Sequence, residues 1–557
     1  MVGGGGLMHL LARPLGGSRL VREYLGGNEA ANAFFRGSPF RAESYRLKAG
    51  ELDRARSPGV FVTAAEVVRP AGPRAEDALR RVIGEGGYFV TTGQQPGLFG
   101  GPLYSLYKAL TAVRLAEDLE HVLARPVMPL FWVASDDHDW AEANHTHVVD
   151  EANELVRLSL GRAPSGPPRP LGRTYVGDEV AAALEGLAQA FPQNDFHASY
   201  TTGLRDIFRP GATVAAAFMD ILAELLRDTT LGLVDAGHPV LKEACKPLFR
   251  AEAEDPRASA AVLRNTSGAL ETAGYGLQAP LVPNATLLFV DLQGGRERLD
   301  ALNGGFGLKR SGKALSRRRV LGLIDGDPES VSPNVLLRPV VESFLFPTLA
   351  YVGGPGELAY FGQLGGLFRR HGVGMPVVVP RASLLVVETR VARVLEKFAL
   401  TPDEVREADA LLSRLARDRL PDGVTGALAR WRAAVEGLGG ELAAAVAAVD
   451  PALKSAVNRA GNAGLAALGT LEKKIVRAAR RKNDTTRARI RKARVNLWPA
   501  GKQQDRVLSP FQYLMRYGPE FLSRALREIR LLPGEDSTPD TARPRGGSVL
   551  PGVGRKG

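Results

Sequence analysis

At 557 residues the chain is too long for one compact core, so two or three domains are expected. Hydrophobic residues make up 45% and charged residues 24%, which is ordinary globular material, and no apolar run approaches the ~18 residues of a membrane span. The formal net charge is +12, and the single cysteine, Cys245, excludes a disulfide within the chain and points to a reducing cytoplasm.

Met1 to Arg13 places glycines before a short apolar stretch and offers no cleavage site, so secretion is not expected. The apolar run Tyr88-Phe89-Val90 then enters a glycine-rich loop, Thr91-Thr92-Gly93-Gln94-Gln95-Pro96-Gly97-Leu98-Phe99-Gly100-Gly101-Pro102. Leu103, Leu106, Tyr107, Leu110 and Val113 follow at helical spacing. A strand, a glycine turn and a helix N-terminus suit an anion, because free N–H groups and the helix dipole face it; a plain structural turn reads equally well. The spacing matches neither common nucleotide fingerprint.

Val127 to Ala134 is a nearly continuous apolar run, as in a strand buried on both faces. It breaks into Ser135-Asp136-Asp137-His138-Asp139-Trp140, with Glu142, Asn144, His145 and His147 close behind. Polar groups just past a strand's carboxyl end lie where open α/β sheets bind ligands. Asp136, Asp137, His138 and His145 are therefore candidates for substrate contact, with a helix cap as the alternative. The cluster matches no specific ligand motif, and no metal ligand is assigned.

Residues 151 to about 205 are rich in Pro, Gly and Arg and read as an inserted connecting region rather than as sheet. Leu231–Asp235 and Thr286–Asp291 read as strands. His238 lies just past the first of them, as an active-site group or a cap. Cys245 falls in a helical stretch and reads as a buried, inert thiol. Lys309-Arg310-Ser311-Gly312-Lys313 is a weak phosphate-contact candidate, with a solvated loop as the alternative. Asn334, Arg338, Glu342 and Glu357 are interleaved with apolar residues; Arg338 can grip a carboxylate through its fork and Glu357 can orient an amine, unless the two form an internal ion pair.

From Arg381 apolar residues recur at three and four (Leu384, Val387, Val391, Val394, Phe398, then Val424 to Val449), the pattern of coiled-coil helices. Pro402, Pro421 and Pro451 divide the run into several antiparallel helices. Residues 471–506 hold thirteen Lys or Arg against three acids, so nearly all the net charge resides in one segment. That supports a rival reading in which the arm binds RNA or another polyanion. Gly534 to Gly557 reads as a disordered tail.

The strings TGQQPGLFGGPLYSLYKAL and FWVASDDHDWAEANH, together with Asn334–Gln363 and Leu497–Leu508, resemble the bacillithiol synthase family, the cysteine-adding ligases of bacillithiol biosynthesis. The resemblance implies an α/β fold: a Rossmann-like nucleotidyltransferase core over 1–380 with connecting-peptide insertions, a long α-helical coiled-coil arm over 381–500 that pairs two subunits, and a return to the core over 501–533. It implies addition of L-cysteine to glucosaminyl malate with a nucleotide, ATP or ADP. Gln94 and Gln95 stand where class I synthetases carry a His-x-Gly-His signature, so nucleotide handling by histidines is not available there. Asp137, His138, Gln94 and Gln95 are then the catalytic candidates. Thr92, Gly93, Gly97, Gly100, Gly101, Asp136, His145, Asn334, Arg338, Glu357, Gln504 and Arg506 are the substrate- or nucleotide-binding candidates.

Overall fold

The computed structural model describes residues 8–56, 59–292, 295–481 and 484–532. They form two compact units, one holding His9–Val386 and the chain from Gln504 onward, the other Val387–Gln503. The expected tail, 534–557, lies outside the described residues.

The first unit is built on a six-stranded sheet of β1 (Val68–Pro70), β2 (Tyr88–Gln94), β3 (Val127–Val133), β4 (Gly232–Asp235), β5 (Thr348–Gly353) and β6 (Val377–Pro380). Its order is β6-β5-β2-β3-β4-β1. All neighbours are parallel except β1, which runs antiparallel on the edge beside β4. Every residue of β3 is buried, as its unbroken apolar run requires of a strand covered on both faces. Between β2 and β3 runs helix α1 (Leu103–Leu123), whose Leu103, Leu106, Tyr107, Leu110 and Val113 are all buried. From β2 the chain steps to β3 and β4 on one side and later returns to lay β5 and β6 on the other. The strand order therefore reverses between β2 and β5, which opens a crevice at their carboxyl ends. Gly93 permits the close packing of β2 on β3 there, since a Cβ on it would meet the Trp132 carbonyl oxygen at 2.9 Å.

A second, antiparallel sheet contains the strands Ala285–Leu292, Gly295–Leu302, Gly305–Leu308, Ala314–Ser316 and Val331–Pro333. The stretch 151–205 is not free of sheet as expected. Leu155–Ser159 pairs with His145–Val149 in a hairpin, and Val180–Gln189 and Asp195–Ile207 are helices. The Pro, Gly and Arg content that suggested a loop is concentrated after residue 160, and it obscured the short alternating strand before it. Besides α1, three helices of this unit bear on the site: α2 (Pro239–Ala244), α3 (Arg338–Leu345) and α4 (Pro355–Phe361).

The second unit is helical: α5 (Thr389–Lys397), α6 (Ala408–Arg417), α7 (Asp422–Ala445), α8 (Leu453–Arg481) and α9 (Asp484–Leu497). Pro402, Pro421 and Pro451 all fall in the breaks, as their missing N–H groups demand. The α7–α8 hairpin is antiparallel, and Arg432 of α7 pairs with Glu472 of α8 at 3.1 Å. The helical character begins later than the spacing predicts. Leu384–Glu388 is a strand, Arg381 belongs to the first unit, and the helical unit starts at Val387. A run of Leu-Leu-Val-Val fits a buried strand as well as a helix, and periodicity alone does not separate them.

Candidate active-site cleft

The crevice between β2 and β5 contains a cavity of about 300 Å³. The end of β2 brings Gly93, Gln94 and Gln95, and α1 sends in Tyr104 and Lys108. Trp132, Ala134 and Asp137 come from β3 and the turn after it, Arg338 from α3, and Gly354 to Glu357 from the turn that opens α4. Arg381, just past β6, and Arg506 complete the wall.

Under this cavity lies a buried charge network. Lys108, 2% exposed, donates to Gly93 O (2.8 Å) and Gln94 Oε1 (3.0 Å) and forms an ion pair with Glu357. Three acceptors around one ammonium match its three protons, so the lysine is charged even though burial pulls its pKa below the ordinary value. Burial also disfavours an ionised Glu357, but Lys108, Arg338 and the Gly354 N–H (2.8 Å) outweigh it and hold the carboxyl below its usual range. Arg338 pairs with Glu342 and donates to Tyr351 (3.0 Å) and Tyr360 (2.8 Å). Its guanidinium is thus largely engaged within the protein. Arg381 pairs with Asp505 at 2.7 Å. Arg506 is exposed and, among the described residues, has no hydrogen-bond or ion-pair partner, so its charge is free for an anionic ligand.

A larger cavity of about 670 Å³ adjoins the first and shares Trp132, Ala134, Asp137, Val335 and Arg338 with it. Asp136 and His138 face this second space, with Phe289, Arg296 and Asn334. Asp136 is paired with Lys242 of α2 at 3.0 Å. Burial pushes its carboxyl up, but Lys242 and Arg296 bring it below the ordinary range. Burial and Arg296 depress the pKa of His138, which favours its neutral form. Arg296 Nη1 lies 3.2 Å from His138 Nδ1, and an arginine can only donate. Nδ1 is therefore the acceptor and Nε2 carries the hydrogen, which makes His138 a donor toward a ligand rather than a base. Asp137 Oδ1 accepts from the backbone of His138 (2.6 Å) and Asp139 (3.3 Å), and its half-exposed carboxylate lies at the junction of the two cavities.

Sequence comparison agrees with this architecture. Residues 9–382 match the N-terminal Rossmann-like domain of the bacillithiol biosynthesis protein BshC, and residues 384–535 match its C-terminal coiled-coil domain. The chain belongs to the BshC family. Relatives bearing the name "Putative cysteine ligase BshC" include those of Salinibacter ruber, 35% identical over 79% of this chain and 80% of that protein, and Symbiobacterium thermophilum, 34% identical over 80% and 82%. The Koribacter versatilis protein is 31% identical over 90% of this chain and 93% of its own length.

In this BshC-family chain the cleft unites Gly93, Gln94, Gln95, Asp137, Arg338, Glu357 and Arg506, while Asp136, His138 and Asn334 lie next door. Asn334 Oδ1 also accepts from Leu336 and Leu337, each at 3.0 Å. Other candidates are elsewhere. The Thr92 hydroxyl donates to Val352 O (2.8 Å) and ties β2 to β5. Gln504 bonds the Val386 backbone on both its amide atoms (2.8 and 2.9 Å). His145 stands on its hairpin against Asn144 and His147.

Gly97, Gly100 and Gly101 do not line the cavity but pack inside the fold, and Gly100 and Gly101 take φ of +81° and +68°. At the expected anion site three donors are already taken, the Gly101 N–H by Leu98 O (3.0 Å), the Leu103 N–H by Leu508 O (2.7 Å) and the Ser105 N–H by Pro102 O (2.9 Å). In the basic loop at 309–313 the Arg310 and Ser311 N–H groups donate to the Glu297 carboxylate (2.9 and 2.7 Å), an internal anion, while the loop residues are exposed. The helix cap belongs to Asp139, whose side chain accepts from Glu142 N, and this leaves Asp137 to face the cleft. Cys245 is buried, and desolvation pushes its thiol up to about 12.

Lys108, Tyr104 and Arg296 are not singled out by the sequence, and Arg381 figures there only as the start of the coiled-coil pattern. A lysine in an otherwise uncharged helix run, Leu103 to Val113, was the available signal. Among the described residues no group of three or more His, Cys, Asp or Glu is placed to hold a metal ion, and no helix is long and apolar enough to cross a membrane.

Proposed function

We propose that the chain is a ligase that forms an amide bond between L-cysteine and the amine of glucosaminyl malate, the last step of bacillithiol biosynthesis, with ATP-dependent activation of the cysteine carboxylate. The observation that carries this reading is a cleft at the sheet's reversal point in which two adjoining cavities meet at Asp137. Joining two substrates needs two neighbouring compartments and a proton acceptor between them.

The residues of the smaller cavity fit an anionic group: Arg506 is uncompensated among the described residues, and Gln94 and Gln95 add amide donors, Gln95 with one N–H already given to Asp139 O (2.7 Å). With Oε1 held by Lys108, Gln94 offers its NH₂ side, which already reaches Tyr104 OH at 3.3 Å. When bound, ATP supplies the phosphoryl or adenylyl group that makes amide formation favourable. Asp137 takes the proton of the attacking amine, and His138, a donor at Nε2, orients the substrate. Arg338 and Glu357 hold the cavity wall in register rather than gripping substrate directly.

The helical unit presents Trp431, Leu438 and Leu442 of α7, 56%, 65% and 53% exposed, at spacings of seven and four residues. A stripe of this kind supports a homodimer through the coiled coil. A buried lone thiol suits a cytoplasmic enzyme. The test is incubation of purified protein with cysteine, glucosaminyl malate and ATP. Mass-detected bacillithiol supports the ligase, whereas no product together with tight, salt-sensitive RNA retention supports the polyanion-binding alternative.

A further inference from the structure

Arg296 stands on the strand Gly295–Leu302, is 9% exposed and lines the larger cavity. Its guanidinium donates to Ser332 Oγ (2.9 Å), His138 Nδ1 (3.2 Å) and Pro333 O (3.1 Å). All three acceptors are neutral. Among the described residues no carboxylate lies within the 4.0 Å of an ion pair with it, and Asp136, which acts on it from farther away, is already matched by Lys242. A buried cation without a counter-ion is costly unless something supplies one.

The geometry also prepares a receptor. Phe289 stacks under the guanidinium at 4.0 Å and fixes its plane. Five N–H donors less three leaves one on each terminal nitrogen, the complement a two-oxygen anion takes. His138, with Nδ1 accepting, adds an Nε2 donor in the same cavity wall. Arg264 adds an exposed charge to the lining, and the other arginines there are committed, Arg298 to Asp300 (2.8 Å) and Arg338 to Glu342.

We propose that the larger cavity contains an oxyanion subsite, in which Arg296 and His138 receive a carboxylate or phosphate group of a substrate. The identity of that group rests on the ligase reading: it is a carboxylate of the acceptor or a phosphate of the nucleotide. The existence of the subsite does not rest on it.

The full chain is titrated calorimetrically with L-malate and, separately, with inorganic phosphate, as wild type, Arg296→Met and Arg296→Lys. Wild type binds one of the two anions, Arg296→Met weakens that binding about tenfold or more, and Arg296→Lys, which keeps the charge without the fork, weakens it less. Loss of L-malate affinity assigns the subsite to the acceptor, and loss of phosphate affinity assigns it to the nucleotide. Should Arg296→Met fail to fold, Arg296→Lys carries the test, with a drop of about threefold or more expected. Unchanged affinity in the variants, or a wild type that binds neither anion, overturns the proposal. Binding is read without turnover, so a chain that holds the anion but makes no amide refutes the ligase and leaves the subsite standing.

Discussion

Lys108→Met tests the charge network beneath the smaller cavity. In the native fold two cations, Lys108 and Arg338, face two carboxylates, Glu342 and Glu357, and all are largely buried. The substitution keeps the length of the side chain and leaves one guanidinium to balance both acids, with Gly93 O and Gln94 Oε1 losing their donor. Breaking a buried pair from one side costs about 3–5 kcal/mol, because the remaining charge stays desolvated. That is a large part of the roughly 5–15 kcal/mol by which domains are stable. Lys108→Met with Glu357→Gln restores the local balance and should recover about 1–3 kcal/mol of the loss. Urea unfolding followed by tryptophan fluorescence reads both. The loss in the single variant should be larger at pH 8 than at pH 5, because an orphaned carboxylate can relieve the imbalance by taking up a proton. A loss below about 1 kcal/mol, or a double variant no better than the single one, would refute the account.

Asp137→Asn should lower kcat by about 10²–10⁴-fold in the mass-detected ligase assay with an unchanged melting temperature, since among the described residues the half-exposed carboxylate bonds only its own turn. His138 has a folded pKa below its ordinary value, so the unfolded chain binds its proton first. Its contribution to stability is then present above about pH 6.5 and lost as pH falls, and His138→Gln should flatten the melting temperature against pH between about 7 and 5. If the proposed dimer forms through the exposed α7 stripe, Leu438→Glu in its middle should shift sedimentation from dimer to monomer; a monomeric wild type or an unchanged dimer would refute that contact.

The sheet was legible because its strands are unusual: Val127–Val133 is apolar on both faces, and only a strand covered by helices on both sides reads that way. Asp137 and His138 were legible for a topological reason, as polar residues at the carboxyl end of such a strand face a crevice whenever the strand order reverses nearby. Whether a glycine loop's N–H groups are free was not legible. Gly97, Gly100 and Gly101 have the composition of an anion loop, but Leu508, some four hundred residues away in sequence, supplies the acceptor that closes the helix start. In the basic loop at 309–313 two backbone donors are taken in the same way, by Glu297. In both places the donors were identified correctly and their internal acceptors were not, because acceptors are set by tertiary pairing. Composition names the donors, but only the fold says which have been spent.

The cleft relies on side chains where a nucleotide-binding fold commonly relies on a helix end. The Leu103 and Ser105 N–H groups at the start of α1 already have internal acceptors, so positive potential comes chiefly from cations that the protein itself has not neutralised. Lys108, Arg338 and Arg381 each have a carboxylate partner and serve to hold Gln94, Glu357 and Asp505 in place. Among the described residues Arg506 in the smaller cavity and Arg296 in the larger have none, and Asp137 lies where the two spaces join. If each unpaired arginine draws one anionic group, the two substrates approach from opposite sides of a single carboxylate. Arg506→Ala and Arg296→Met should then raise the KM of different substrates in the ligase assay, and a shared effect on one substrate would mean that both cavities serve the same molecule.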